Sequence, residues 1–127
     1  MRITDRSRRS ERGAALVEMA IILPILLLLV FGLVEFARAY NTKAVITHAS
    51  REGVRVLAIT GDAGDAAAAA RQAGTPLDPT LMSVSSTTCT PGDPTTVTVS
   101  YPFEWLVPII GSGTLTIATT AVMRCGG

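Results

Sequence analysis

The chain has 127 residues, 48% of them apolar, 17% charged and 5% aromatic, with eleven basic against ten acidic side chains and a net charge of +1. A mean hydropathy of +0.42 with so few charges argues against a disordered chain and against an ordinary water-soluble domain. The balanced charge leaves no field to hold a polyanion, which argues against nucleic acid as a partner. One His and two Cys cannot supply a four-ligand zinc site of Cys and His alone.

The hydropathy is concentrated near the N-terminus. Residues 1–13 form a basic leader with Arg2, Arg6, Arg8, Arg9 and Arg12 against Asp5 and Glu11. From Gly13 to Val34 the chain reads GAALVEMAIILPILLLLVFGLV, with Glu18 as its single ionisable side chain. As a helix this run reaches about 33 Å, enough to cross a hydrocarbon core of about 30 Å. It exceeds the apolar region of a secretory signal, about 7–15 residues. The Ala37-Arg38-Ala39 triplet imitates a signal-peptidase site, but Glu35 and Arg38 interrupt its approach. Only Arg38 and Lys43 are basic just beyond the span, so the flanking charge places the N-terminus in the cytoplasm and the remainder outside.

Residues 35–59 continue without a proline and with one glycine, Gly53. Partial helical spacing (Phe36 with Tyr40, Ala37 with Ala44, Val45 with Ala49, Val56 with Ile59) predicts one long helix whose second half leaves the membrane. Pro24 removes a backbone donor inside the span and marks a place for a bend. Thr60-Gly61-Asp62 ends the helix, and residues 65–73 read as a short second one with Asp65 as N-cap and Gly74 as stop. A loop with two prolines follows over residues 74–80.

The pattern then changes to β-branched alternation. Residues 81–89 and 95–103 read as strands joined by turn chemistry at Thr90-Pro91-Gly92-Asp93-Pro94, with Val97, Val99, Tyr101 and Phe103 on one face. A third strand over residues 114–124 carries Leu115, Ile117, Ala121 and Met123 at even spacing. The expected fold class is α+β: a long N-terminal membrane-spanning helix (14–34) with an extramembrane extension (35–59), then a small region (60–127) with a short second helix and a three-stranded antiparallel β-sheet. So small an exterior region usually needs a staple. Cys89 and Cys125 lie near strand ends and, on an oxidising side, form a bridge worth about 3–4 kcal/mol by chain entropy; two unpaired thiols are the alternative.

The segment Arg12-Gly13-Ala14-Ala15-Leu16-Val17-Glu18 puts a glycine at the polar–apolar boundary and a carboxylate five residues later. It resembles the processing motif of type IV prepilins, and more closely that of the Tad (tight adherence) pilus system. The wider string ERGAALVEMAIILPILLLLVFGLVEFARAYN, the later THASREGVRVLAI and the Thr/Val-rich strands ending in AVMR are similar to the TadE-like minor pilins, or pseudopilins. That resemblance implies a leader removed between Gly13 and Ala14 by a membrane-embedded aspartic prepilin peptidase, with Glu18 as the fifth mature residue. Met19 follows the glutamate where Tad major pilins commonly have tyrosine, which fits a minor pilin better. It also implies a single-pass protein of the bacterial inner membrane, working with the membrane, other pilin or pseudopilin subunits and the Tad assembly machinery.

A carboxylate inside the membrane costs up to about 2.5–3.5 kcal/mol, less near the surface, and therefore seeks a partner. Cleavage would create an α-ammonium on Ala14, suited to pair with Glu18 of a neighbouring subunit and set helix register. The alternative is that Glu18 reaches the headgroups and pairs with Arg12 of its own chain.

The remaining features are less specific. His48 reads as a solvated or interhelical histidine, and Glu52 with Arg55 as part of a charged face. Residues 104–110 (EWLVPII) either cover the sheet and helix or form a docking patch for a partner or a membrane surface, with Trp105, Leu106 and Ile109 as the contacts. No phosphate-binding loop or paired-carboxylate cleft appears in the pattern, so no catalytic residue, cofactor, metal or small-molecule substrate is expected. The reading is a structural or assembly protein of the Tad pilus; the alternative is a signal-anchored envelope module that binds another protein.

Overall fold

In the computed structural model, residues 4–126 are described, with side-chain burial from residue 11 onward. Arg2, Asp5, Arg6, Arg8 and Arg9 of the leader lie outside that side-chain description. Helix α1 spans Thr4–Thr60 and continues through Pro24. It ends where Gly61 takes a left-handed φ of 70° and its N–H returns to the Leu57 carbonyl at 2.8 Å, a closure that a residue with a Cβ resists.

Helix α2 spans Ala63–Ala73, two residues earlier than the sequence pattern suggests, and its cap is Asp62 rather than Asp65. The Asp62 carboxylate accepts from the N–H groups of Gly64 at 2.7 Å and Asp65 at 3.0 Å, satisfying two of the helix's orphan donors. Asp65 lies in the first turn, where its charge suits the positive end of the helix dipole. Gly74 closes α2 at a right-handed φ of −78°, its N–H bonded to the Ala70 carbonyl.

Three antiparallel strands follow in the order β1-β2-β3: β1 Ser83–Ser86, β2 Pro94–Glu104 and β3 Thr114–Arg124. β2 is central, pairing Val99 with Val84 on one side and with Thr119 on the other. β1 is shorter than the expected residues 81–89. On its N-terminal side the Leu81 N–H turns back to the Asp78 carbonyl. On its C-terminal side the Thr87 hydroxyl, not its carbonyl, receives the Thr96 N–H at 2.9 Å. Side-chain bonding there replaces one bond of the ladder pair, the Thr87 N–H still reaching the Thr96 carbonyl at 3.0 Å.

The chain divides into two compact units between Glu35 and Phe36. In the first, residues 11–34 are exposed all round the helix, Gly32 alone being half-buried. The second has a conventional core in which Ile46, Ala49, Val54 and Leu57 of α1 meet Ala66 and Ala70 of α2, Met82, and Val97 and Val99 of β2. Of the residues whose spacing suggested the helix, Ala49 is buried and Val45 and Val56 half-buried, whereas Phe36, Tyr40 and Ile59 are exposed, although Phe36 and Tyr40 do stack, 6.5 Å apart. Among the strand residues, Thr95, Val97, Val99 and Phe103 are buried and Tyr101 is half-buried. The alternation of β3 is weaker: Ile117 and Ala121 are half-buried, whereas Leu115 and Met123 are exposed. β3 is an edge strand with cover on part of one face only.

Cys89 and Cys125 are joined by a disulfide across 5.6 Å of Cα separation. The turn beside it holds Gly92 at φ 89°, with the Gly92 N–H on the Cys125 carbonyl and the Cys125 N–H on the Asp93 carbonyl, both at 2.9 Å.

Candidate functional site

Two surfaces of this molecule bear on function, and each lies within one unit. The first is the apolar part of α1. Its side chains from Leu16 to Val34 are 44–71% exposed where they are large and apolar, and the most apolar window of the helix has a mean hydropathy of 2.8 with none of it buried. A soluble protein does not leave such a surface in water; the helix is long and apolar enough to cross a membrane. Gly13 and Ala14 lie at its polar end and Glu18 one turn further in, all exposed. A Cβ added at Gly13 would meet no atom within 4 Å, so nothing among the described residues requires a glycine there, although mid-helix glycine costs about 1 kcal/mol relative to alanine.

Helical geometry also limits the partners of Glu18. The residues one turn away are Ala14, Ala15, Ile21 and Ile22, none of them charged. Arg12 stands six positions back, about 120° around the helix and about 9 Å along it.

Residues 13–55 match the family model of TadE-like proteins. Over that stretch the chain is similar to TadE-like proteins. The TadE-like segment begins at Gly13, takes in Glu18 and the whole apolar run, and stops short of α2 and the sheet. The exposed apolar helix within that stretch has the length and composition that suit membrane anchoring. No curated protein and no solved structure matches the chain.

The second surface belongs to the folded unit. The loop between β2 and β3 holds Trp105 half-buried, packed edge-on against Phe103 at 5.6 Å, while Leu106 and Ile109 are 66% and 82% exposed. The expectation that residues 104–110 cover the sheet and helix is therefore met only in part, Trp105, Val107 and Ile110 being half-buried. The loop folds over itself, with the N–H of Ile110 and of Gly111 on the Val107 carbonyl, and a Cβ at Gly111 would collide with the indole at 2.5 Å. That glycine lets the backbone pass the ring, and Leu106 and Ile109 are left facing outward.

Several stabilising contacts left no trace in the pattern. Arg38 places its guanidinium 5.1 Å over the Phe103 ring and donates to the Glu104 carbonyl at 3.5 Å. Lys43 donates to the Ala118 carbonyl, and Thr47 to the Thr119 hydroxyl at 3.5 Å. These are pairs more than 60 residues apart, beyond the reach of local periodicity. Gly53 was legible only as an oddity in a helix. A Cβ there would lie 3.1 Å from Ala70 Cβ and 3.2 Å from the Ala66 carbonyl oxygen, so its absence permits the close approach of α2.

His48 is exposed. Glu52 and Arg55 form a bidentate pair at 3.1 and 2.6 Å, and the hydrogen bond from Arg55 holds the Glu52 carboxyl below its ordinary value. An open groove of about 630 Å³ runs between Thr47, Arg51 and Arg55 of α1 and Thr119, Ala121 and Met123 of β3. Among the described residues, no cluster of three or more His, Cys, Asp or Glu is placed to hold a metal ion.

Proposed function

We propose that this protein is a minor pilin, or pseudopilin, of the Tad pilus, with a structural and assembly role rather than a catalytic one. The observation that carries the reading is the uncovered apolar surface of α1 within a TadE-like segment: side chains that no part of the chain covers are suited to lipid first and to neighbouring helices later. In this reading the N-terminus lies in the cytoplasm and the folded unit outside the inner membrane, where the Cys89–Cys125 bond is stable. A prepilin peptidase removes residues 1–13 and frees the Ala14 α-ammonium. Glu18, with no basic residue one turn away on its own helix, then pairs with that ammonium on an adjacent subunit and sets the register of packing.

Intact-mass measurement of the protein from its native host tests the processing step. The expected mass lacks Met1–Gly13, and Gly13→Asp, at a position where an added Cβ meets nothing within 4 Å, retains the leader. A full-length wild-type chain in assembled pili would overturn it. Glu18→Ala is expected to insert in the membrane and fail to assemble; normal pili in that variant would remove the pairing role. A stably anchored, unprocessed protein that co-purifies with a non-pilus envelope protein would favour the binding-module reading instead.

A further inference from the structure

β3 is the long edge of the sheet. The opposite edge, β1, has four residues where β3 has eleven, and among the described residues no strand lies beyond β3. The Cys125 N–H bonds to the Asp93 carbonyl and the Cys125 carbonyl accepts from Gly92. By alternation, the N–H and C=O groups of Ala118, Thr120, Val122 and Arg124 point away from β2. Lys43 takes the Ala118 carbonyl. The main-chain groups of Thr120 and Val122 instead open onto the groove between β3 and residues 47–55 of α1.

That groove has definite ends. Lys43 and Thr47 fasten α1 to β3 at one of them, and the Gly126 N–H reaches the Ala58 carbonyl at the other. Between them about four residues of edge, about 13 Å, are open. The stretch has no proline, and such an edge is a template for one more strand. The groove also has a sign. Glu52 and Arg55 neutralise each other at 2.6 Å, whereas Arg51 is exposed and, among the described residues, pairs with no carboxylate. Arg124, exposed at the end of β3, adds a second positive charge. A second copy of the chain is disfavoured as the occupant. Antiparallel pairing of two β3 edges about Ala121 sets Arg124 opposite Ala118, beside the partner's Lys43, like charge against like.

We propose that the β3 edge is a docking site for an extended acidic segment of another protein, which adds a fourth strand to the sheet. Thr120 and Val122 supply the main-chain hydrogen bonds. A carboxylate on the α1 side of the added strand meets Arg51, and an apolar side chain on its other side lies beside Val122, which is 62% exposed. The inference goes beyond the assembly role proposed above, since it depends neither on processing at Gly13 nor on the apolar part of α1.

The probe is a short blocked peptide of alternating glutamate and valine, added to the full chain in a neutral detergent and followed by amide NMR. The expected result is a shift of the Thr120 and Val122 signals with slowed exchange of their N–H groups. The matching peptide of lysine and valine is expected to bind about tenfold or more weakly. Methylating the backbone nitrogens of the glutamate peptide keeps its charge, removes its ladder donors and is expected to abolish binding. Arg51→Glu, at an exposed position, is expected to weaken the glutamate peptide about tenfold and to favour the lysine one. Val122→Pro removes an N–H that β2 does not use and is expected to abolish binding; if it disturbs folding, Arg51→Glu decides. No shift at Thr120 and Val122 with millimolar peptide overturns the proposal. So does equal binding of the two peptides, or binding that survives methylation. A dimer in which Thr120 and Val122 are protected before any peptide is added would assign the edge to a second copy and likewise overturn it.

Discussion

Leu29 and Leu57 lie on the same helix, yet Leu29 is 63% exposed and Leu57 is 1% exposed. From Leu16 to Val34 the helix is apolar on all sides apart from Glu18 and its large apolar side chains are exposed, whereas Glu35 at the end of that stretch is buried. The segment beginning at Phe36 is a helix with one buried stripe, Thr42, Ile46, Ala49, Gly53 and Leu57, recurring at three- and four-residue intervals as an amphipathic helix requires. The difference shows how one continuous element can suit two solvents. Where the environment is lipid, any side of the helix can be apolar. Where it is water, the apolar residues are restricted to the face that α2 and the sheet cover.

The contrast predicts unequal responses to the same substitution. Leu57→Ala should destabilise the folded unit by about 3–5 kcal/mol, as a large-to-small change in a packed core does; Leu29→Ala should leave its urea midpoint in detergent unchanged. Comparable losses from both would mean that the two segments are not energetically separate. Replacing Cys89 and Cys125 by Ser should cost about 3–4 kcal/mol by releasing a long loop in the unfolded chain. The loss should be reproduced by a reductant in thermal melts of the parent and be absent in the helical signal of the apolar segment. Asp62→Ala should cost about 1 kcal/mol by freeing two N–H groups of α2, and Asp65→Ala clearly less; the reverse order would return the cap to Asp65.

The smallest effect concerns Glu52. Its carboxyl titrates below the ordinary value because Arg55 hydrogen-bonds to it, with the charges of Arg55 and His48 adding to the shift. The stabilisation it contributes is present above the unfolded carboxylate pKa and is lost as pH falls through the folded one. In Arg55→Ala the Glu52 midpoint, followed by NMR, should rise toward the ordinary value. An unmoved midpoint would show the pair to be absent in solution.

Much of this architecture could be read along the chain because its causes are local. The span follows from run length, the end of α1 from Gly61, and the sheet from β-branched alternation around Val97 and Val99. The turn follows from Pro91-Gly92-Asp93. The N-cap was misplaced because Asp62 and Asp65 are both capable cap residues, and the choice depends on the left-handed Gly61 that turns the chain just before Asp62. β1 was drawn too long because Thr87 and Thr95 bond through hydroxyls, which β-propensity does not register. At the N-terminal boundary Gly13 and Glu18 stand out in the sequence because they depart from the composition around them. The outward-facing loop was not, since EWLVPII reads equally well as core.

The amino-acid sequence by itself determined a helix long enough to cross a bilayer, its stop signal and the class of fold that follows it, because periodicity and turn chemistry act between near neighbours. Only the tertiary structure decided which stripe of α1 is buried, that Arg38 and Lys43 fasten the sheet to that helix, and that Leu106 and Ile109 face outward. Those outcomes depend on which distant segments come together, and the free energy of a side chain is set by the neighbours it meets there.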